Sequence, residues 1–299
     1  VFVDTDNPDD FRRAVTEKTR AIFIENLANP GGVVADLEAI AKVANEAGVP
    51  LVVDNTMATP FLSQPLEWGA DIVVHSTTKF LSGQGNALGG VVIDSGKFPW
   101  LGNSKYPSLS EPSPEYNGLT FAETFGDLAY TMYSHAISLR DLGCSQSPMN
   151  AWITLNGIET LPLRIERHCS NALEVALFLE KHQQVEWVSH AGLESSPYYD
   201  LGKKYLPDGT GSVFTFGVKG GYESGLKMLE TVELFSHVAN IGDTHSLILH
   251  PASTTHRQLS DEQLITAGAG AEVIRLSIGI ECVEDLIADL DQALERSKQ

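Results

Sequence analysis

Two side chains able to do chemistry end neighbouring predicted strands. Asp54 closes the apolar strand LVVDN (51–55), and Lys79 comes just after the apolar strand ADIVVHS (70–76). The carboxyl ends of parallel strands meet at one edge of a sheet, where ligands of α/β proteins bind. A lysine next to apolar residues such as Phe80 loses hydration, so its pKa falls and its neutral amine can attack a carbonyl.

Hydroxyl residues beside the lysine extend this chemistry. Ser76 and Thr78 could donate hydrogen bonds to a phosphate, and Asp54 could keep a pyridine nitrogen protonated. A lysine, an acid and phosphate donors are the parts required to hold pyridoxal 5′-phosphate (PLP). The alternatives are a solvated surface lysine, a carboxylate in a strand-end turn and ordinary strand-end hydroxyls.

The glycine-rich run GQGNALGG (83–90) raises the possibility of a nucleotide-binding loop. A dinucleotide loop leads from a strand into a helix, but this run leads into GGVVIDS (89–95), which is typical of a strand. A Walker A loop is excluded because the lysine and hydroxyl residue of its GK[ST] motif are missing here. We therefore interpret the run as a connection between strands.

Composition limits the classes of partner. The 299 residues are 42% hydrophobic and 20% charged, which predicts a globular protein with more than one core. The formal net charge of −19 disfavours nucleic acid and anionic membranes as partners, and no apolar run is long enough to span a bilayer. Three widely spaced cysteines, with no CxxC pair, predict neither a disulfide framework nor a metal site, and favour the cytoplasm.

The order of predicted elements favours two domains, residues 1–150 and 151–299. The first alternates buried strands with helices such as 36–48, which predicts a parallel sheet covered on both faces. The second mixes strands and helices in the manner of an α+β domain. Ser260 and Gln263 occupy the two positions of a helix capping box.

Several collinear blocks resemble the Cys/Met-metabolism family of PLP-dependent enzymes. They are VVDNTMATP (52–60), DIVVHSTTKF (71–80), ENLANP (25–30), HPASTTH (250–256) and VIRLSIGIE (273–281). Two more are similar to the O-acetylhomoserine sulfhydrylases of that family, RDLGCSQSPMNAW (140–152) and ETLPLRIERH (159–168). The resemblance implies a fold type I PLP-dependent transferase: a large α/β domain with a mainly parallel sheet, followed by a smaller α+β domain.

The resemblance also implies cofactor-binding roles. Lys79 would form a Schiff base with PLP and then move protons on the substrate. Asp54 would pair with the pyridine nitrogen, Ser76 and Thr78 would bind the phosphate, and Asn29 would lie near the cofactor's O3′.

Substrate recognition is implied for Arg275, whose guanidinium would grip the substrate carboxylate, with Asn240 nearby. His75 and His250 fall in the matching blocks, but we expect both to be packing residues. The chain departs from the family pattern at Met57 and at Gly83-Gln84-Gly85, both of which we expect to be peripheral changes.

The activity implied is γ-replacement, in which O-acetylhomoserine and sulfide give homocysteine and acetate. A cystathionine γ-synthase or methionine γ-lyase type of reaction is the alternative within the family. The family's cofactor domain begins upstream of VFVDTDNP (1–8), so a further alternative is a non-catalytic scaffold, or a subunit that a partner completes. We also expect a homo-oligomer, a tetramer by resemblance, and a narrow site entrance shaped by the segment 96–125.

Overall fold

The computed structural model describes residues 1–298. Its first part holds a four-stranded sheet with its connecting helices: α1 (Pro8–Ala14), β1 (Ile22–Glu25), α2 (Leu37–Ala47), β2 (Leu51–Asp54), α3 (Thr59–Leu62), β3 (Ile72–Ser76) and β4 (Gly90–Asp94). Two shorter helical segments, Pro65–Trp68 and Thr77–Leu81, lie before and after β3. Strands β1, β2 and β3 are parallel, as predicted, and β4 pairs antiparallel with β3.

Strand β4 runs antiparallel to β3 although the thirteen-residue segment 77–89 between them is long enough for a parallel crossover. Its helical part is the five-residue turn Thr77–Leu81, so the segment lacks the α-helix that usually carries such a crossover. Helix α2 forms as predicted, because Asp36 caps its start and Gly48 ends it in a left-handed conformation.

A helical region follows. It comprises α4 (Pro107–Ser110), α5 (Phe121–Phe125), α6 (Ala129–Ser134), α7 (Pro148–Glu159) and α8 (Leu161–Lys181), with short helical segments at Pro114–Tyr116, Gly126–Leu128 and His135–Asp141. Aromatic side chains hold the part before α7 together, for example Phe98 against Trp100 and Trp100 stacked on Tyr130. This aromatic cluster covers one face of β2 and β3.

The last part is an α+β unit. It contains β5 (Val185–Ser189), α9 (Tyr199–Tyr205), β6 (Val213–Val218), α10 (Gly221–Thr231), β7 (Ser236–His237), β8 (Leu247–Leu249), α11 (Asp261–Thr266), β9 (Val273–Ser277) and α12 (Val283–Ser297), with a single helical turn at Pro251–Ser253. The strand order is β5-β6-β9-β8-β7, antiparallel except for the β7–β8 pair. The predicted capping box, Ser260 with Gln263, begins α11.

Helix α8 contributes to two hydrophobic cores. Leu161 and Ile165 pack in the core around α2 and the first sheet, whereas Val175 and Leu179 pack in the core of the second sheet. The division of the chain at residue 150 stays a prediction. In residues 1–298, no helix combines the length and apolar character needed to cross a membrane.

Candidate active site

Lys79 lies in the segment Thr77–Leu81, directly after β3, at the carboxyl edge of the parallel strands. Its own backbone (φ −91°, ψ −129°) departs from helical geometry and interrupts the segment. Lys79 Nζ donates a hydrogen bond of 2.6 Å to Asn240 Oδ1. Burial, followed by the positive charge of Arg275, lowers the pKa of the Lys79 amine. More of this amine is therefore neutral at a given pH than in an exposed lysine.

Arg275, on β9, supplies that neighbouring charge. Its Nη2 donates to the Asn240 backbone carbonyl at 3.1 Å, and its Nη1 lies 3.4 Å from Asn29 Oδ1. Both acceptors are neutral, and burial lowers the pKa of the guanidinium. Within residues 1–298 no carboxylate forms an ion pair with Arg275, so its charge is available to an anion.

Asp54 and Ser76 lie together at the ends of adjacent strands. Asp54 pairs with Val74 in the β2–β3 register, and its Oδ1 accepts a hydrogen bond from the Thr56 amide at 2.9 Å. Thr56 in turn accepts a hydrogen bond of 2.8 Å from the Ser76 amide through its own hydroxyl. The turn after β2, which contains Asp54 and Thr56, therefore also holds the end of β3, the strand that leads to Lys79.

The two predicted phosphate donors differ in their surroundings. The Thr78 hydroxyl accepts from the Gly89 amide at 3.2 Å and lies 3.3 Å from the Gly89 carbonyl, so it holds the following loop. The Thr77 hydroxyl is buried and has no hydrogen-bond partner within the described chain. Ser76, at the end of β3, is only partly buried.

The predicted packing histidines are both buried. His250 Nδ1 lies 2.9 Å from Ser253 Oγ, and its Nε2 lies 2.9 Å from the Ala271 carbonyl. Burial lowers the pKa of both His75 and His250, and the nearby negative charge of Asp54 opposes that shift at His75. The neutral form of both rings is therefore favoured, which agrees with packing roles.

The loop that carries Asn240 is hydrogen-bonded to the lysine turn, the residues 77–83 that contain Lys79. The Thr244 amide donates to the Gly83 carbonyl at 3.0 Å, and the Gly242 amide donates to Ser277 Oγ at 3.0 Å. Gly242 has φ +75°, and a Cβ there would lie 2.8 Å from the Phe80 amide nitrogen. Only glycine allows the loop to come this close while keeping that backbone conformation.

Part of the segment 96–125, which we expect to shape the site entrance, lies at the amino ends of the parallel strands. Lys105 Nζ donates to the Ala47 carbonyl at 2.7 Å, and the Tyr106 hydroxyl donates to the Arg20 carbonyl at 2.8 Å. Ala47 and Arg20 precede β2 and β1, so these contacts lie at the amino ends of the strands. The entrance hypothesis is therefore wrong for this part of 96–125, because Asp54 and Lys79 lie at the opposite edge.

Sequence reasoning missed two residues of the site, Thr56 and Glu25. Thr56 lies inside the block that contains Asp54, but nothing in its residue type shows that it would bind the Ser76 amide. Glu25 begins the ENLANP block and accepts the Asn29 amide at 2.9 Å. It is aligned with Asp54 across the β1–β2 pair, a position that only the strand register reveals.

The chemistry of these residues fits PLP. An amine with a lowered pKa, a carboxylate at the end of β2 and the hydroxyls of residues 76–78 meet at one sheet edge. Two further groups are free to bind an anionic ligand. The buried Thr77 hydroxyl has no hydrogen-bond partner in the described chain. Among the same residues, the Arg275 guanidinium has only neutral acceptors.

Comparisons with known proteins agree with this fit. Residues 1–295 match the family described as Cys/Met metabolism PLP-dependent enzyme. The chain is 49% identical to an O-acetyl-L-homoserine sulfhydrylase of Leptospira meyeri and 48% identical to a homocysteine synthase of Schizosaccharomyces pombe, with 98% of the chain covered in each case. It spans 68% and 69% of the length of these relatives.

A solved structure shares the fold. It is assigned as an O-acetylhomoserine (thiol)-lyase of Campylobacter jejuni and contains N′-pyridoxyl-lysine-5′-monophosphate. The TM-score is 0.94 at 42% identity, and the match covers 98% of this chain and 70% of that one. The chain therefore belongs to the Cys/Met metabolism family of PLP-dependent enzymes.

Proposed function

We propose that this protein catalyses γ-replacement, in which O-acetylhomoserine and sulfide give homocysteine and acetate. The observation that carries the proposal is the Lys79 amine, whose pKa is lowered and which is held by Asn240 beside the unpaired Arg275 guanidinium. An amine and a carboxylate receptor that both hydrogen-bond to Asn240 suit an amino-acid substrate. The names of the relatives support O-acetylhomoserine as that substrate.

When bound, PLP supplies a carbonyl for amines and a ring that accepts electrons from a broken C–H bond. We assign Lys79 to form the Schiff base in the resting enzyme, and then to remove and return protons at the substrate's Cα and Cβ. Asp54 would keep the ring nitrogen protonated, Ser76 and Thr78 would bind the phosphate, and Asn29 would contact the ring's O3′.

Arg275 would orient the substrate through two parallel hydrogen bonds to its carboxylate. Asn240 would steer the Lys79 amine, because its side chain contacts Nζ while its carbonyl contacts the guanidinium. Acetate then leaves Cγ, and sulfide adds at the same carbon. The net reaction exchanges an acetate for a hydrosulfide and leaves the redox state unchanged.

The test is a competition assay on the PLP-loaded protein, with sulfide and cysteine as rival nucleophiles. We expect homocysteine to be the main product. A preference for cysteine, giving cystathionine, or release of a 2-oxo acid without any nucleophile would contradict the sulfhydrylase proposal and favour the other reactions of the family.

Borohydride trapping separates an enzyme from a scaffold that does not use the cofactor. Reduction of the PLP-loaded protein should place a pyridoxyl group on Lys79 alone, as located by peptide mass spectrometry. Lys79→Ala should lose the label and turnover, whereas Lys97→Ala, at an exposed lysine, should keep both. A label on another lysine would show that we have chosen the wrong amine.

We further propose that the protein forms a homo-oligomer, a tetramer by family resemblance, and works in the cytoplasm. Support for the first point is an apolar stripe along α7 at spacing i, i+3, made of Met149, Trp152, Leu155 and Ile158, all exposed. Support for the second is that all three cysteines, at 144, 169 and 282, are free.

A further inference from the structure

A chain of hydrogen bonds runs from the end of β1 to the lysine. Glu25 Oε2 accepts the Asn29 amide at 2.9 Å, and Asn29 Oδ1 lies 3.4 Å from Arg275 Nη1. Arg275 Nη2 donates to the Asn240 carbonyl at 3.1 Å, and Asn240 Oδ1 accepts from Lys79 Nζ at 2.6 Å. Five residues from four parts of the chain are therefore linked, and Glu25 is the first of them.

We propose that Glu25 is a positioning residue, which fixes Asn29 and through it the Arg275 guanidinium. Its effect on catalysis rests on the proposed function, but its effect on the guanidinium does not. Glu25 contacts neither Lys79 nor Arg275 directly. The bond to Glu25 holds the Asn29 backbone, and with it the base of the side chain whose Oδ1 lies within reach of Arg275.

The order of distances supports this role. The Glu25–Asn29 bond is of ordinary length, whereas the Asn29–Arg275 contact is long. A long contact to a neutral oxygen aligns the guanidinium but is weak enough for a substrate carboxylate to replace it. Glu25 and Asn29 also line a cavity of about 680 Å³ beside β1, so this end of the chain of hydrogen bonds borders open space.

A second possible role for Glu25 is electrostatic. Glu25 is exposed, but partial desolvation of its carboxyl, opposed by the Asn29 amide and reinforced by the negative charge of Asp54, raises its pKa. Asp54 is its register partner, so Glu25 could act by repelling that carboxylate. Substitutions separate the two roles. Glu25→Gln removes the charge but keeps an oxygen that can accept the Asn29 amide, whereas Glu25→Ala removes both.

The first experiment measures the rate at which phenylglyoxal modifies Arg275 in the PLP-loaded protein, by peptide mass spectrometry. The loss of one aligning hydrogen bond should raise this rate about three- to tenfold in Glu25→Ala. Glu25→Gln should stay near the wild-type rate. The matched control is Glu67→Ala, an exposed glutamate of the same sheet unit outside this chain of hydrogen bonds. Melting temperatures identify any variant that has lost its fold.

The second experiment measures the kinetics with O-acetylhomoserine. In Glu25→Ala the KM should rise about tenfold with little change in kcat, because substrate alignment is lost and the lysine stays in place. Glu25→Gln should restore the KM. Equal Arg275 labelling in wild type and Glu25→Ala, or equal behaviour of the Gln and Ala variants, would overturn the inference. If the wild type does not turn over O-acetylhomoserine, the proposed function fails, and the labelling experiment still decides the role of Glu25.

Discussion

At the scale of single residues, the charge of Asp54 is the first feature that can be tested. Asp54→Asn keeps the size of the side chain and an oxygen for the Thr56 amide, so the turn at the end of β2 should persist. Removing the charge that we propose keeps the ring nitrogen protonated should cost several kcal/mol of transition-state stabilisation, on the order of a 10³-fold or larger loss of kcat/KM.

The matched control for this change is Asp71→Asn. Asp71 accepts the Leu51 amide at 2.9 Å, at the amino end of the same strands. The Asp71→Asn substitution removes a carboxylate charge from the same sheet, at the edge away from the site. The activity of this variant should therefore stay within a few fold of that of the wild type. Near-normal activity in Asp54→Asn would mean that another acid serves the ring.

The titration of Lys79 gives a second prediction at this scale. Burial and the Arg275 charge both lower its pKa, so removing that charge should raise the pKa again. In cofactor-free Arg275→Ala protein, the pH profile for modification of Lys79 by trinitrobenzenesulfonate should shift to higher pH. Arg275→Lys should shift it less, since a cation is kept. If the pH profile of Lys79 modification does not change in Arg275→Ala, the Arg275 charge has no effect on the pKa of the Lys79 amine.

At the scale of elements, the close packing of the 240–244 loop on the lysine turn predicts a cost for Gly242→Ala. A Cβ at this position meets the Phe80 amide in a left-handed backbone conformation. Backbone strain and overpacking together should lower the free energy of unfolding by about 2–5 kcal/mol, as measured by denaturant titration. Gly102→Ala isolates the strain, because Gly102 has φ +70° with nothing within 4 Å.

Gly102→Ala should therefore cost only about 1–2 kcal/mol. If the two variants are equally stable, the loop is not packed against the turn as closely as the distance indicates. Gly242→Ala should also weaken PLP binding, because Asn240 and Lys79 are held together through this loop.

The elements themselves follow closely from sequence patterns, because apolar runs and capping residues are local signals. Helix α2, with Asp36 and Gly48 at its ends, is an example. The direction of β4 and the location of Lys105 and Tyr106 were not predictable, since both depend on how the chain returns to the sheet. The same holds for the Lys79–Asn240 contact, which joins residues 161 positions apart.

At the scale of the whole molecule, the exposed apolar stripe on α7 would link the proposed assembly of subunits to the candidate site. Gly157, on another side of this helix, packs against the carbonyls of Leu81 and Ser82, within the lysine turn. Trp152 and Leu155 are 61% and 62% exposed, and residues of this size are seldom left in water in a contiguous row. A second subunit on this stripe would therefore support the helix against which the turn rests.

Replacing both exposed residues, in Trp152→Glu/Leu155→Glu, should convert the proposed oligomer into smaller species, because two carboxylates cannot be buried unpaired in an apolar contact. Sedimentation velocity measures this change. Leu101→Glu is the control, since Leu101 is equally exposed but lies outside the stripe. The double variant should also lose PLP more readily, because its lysine turn loses the support of a braced α7. If it sediments like wild type, the contact between subunits lies on another surface and α7 is an ordinary exposed helix.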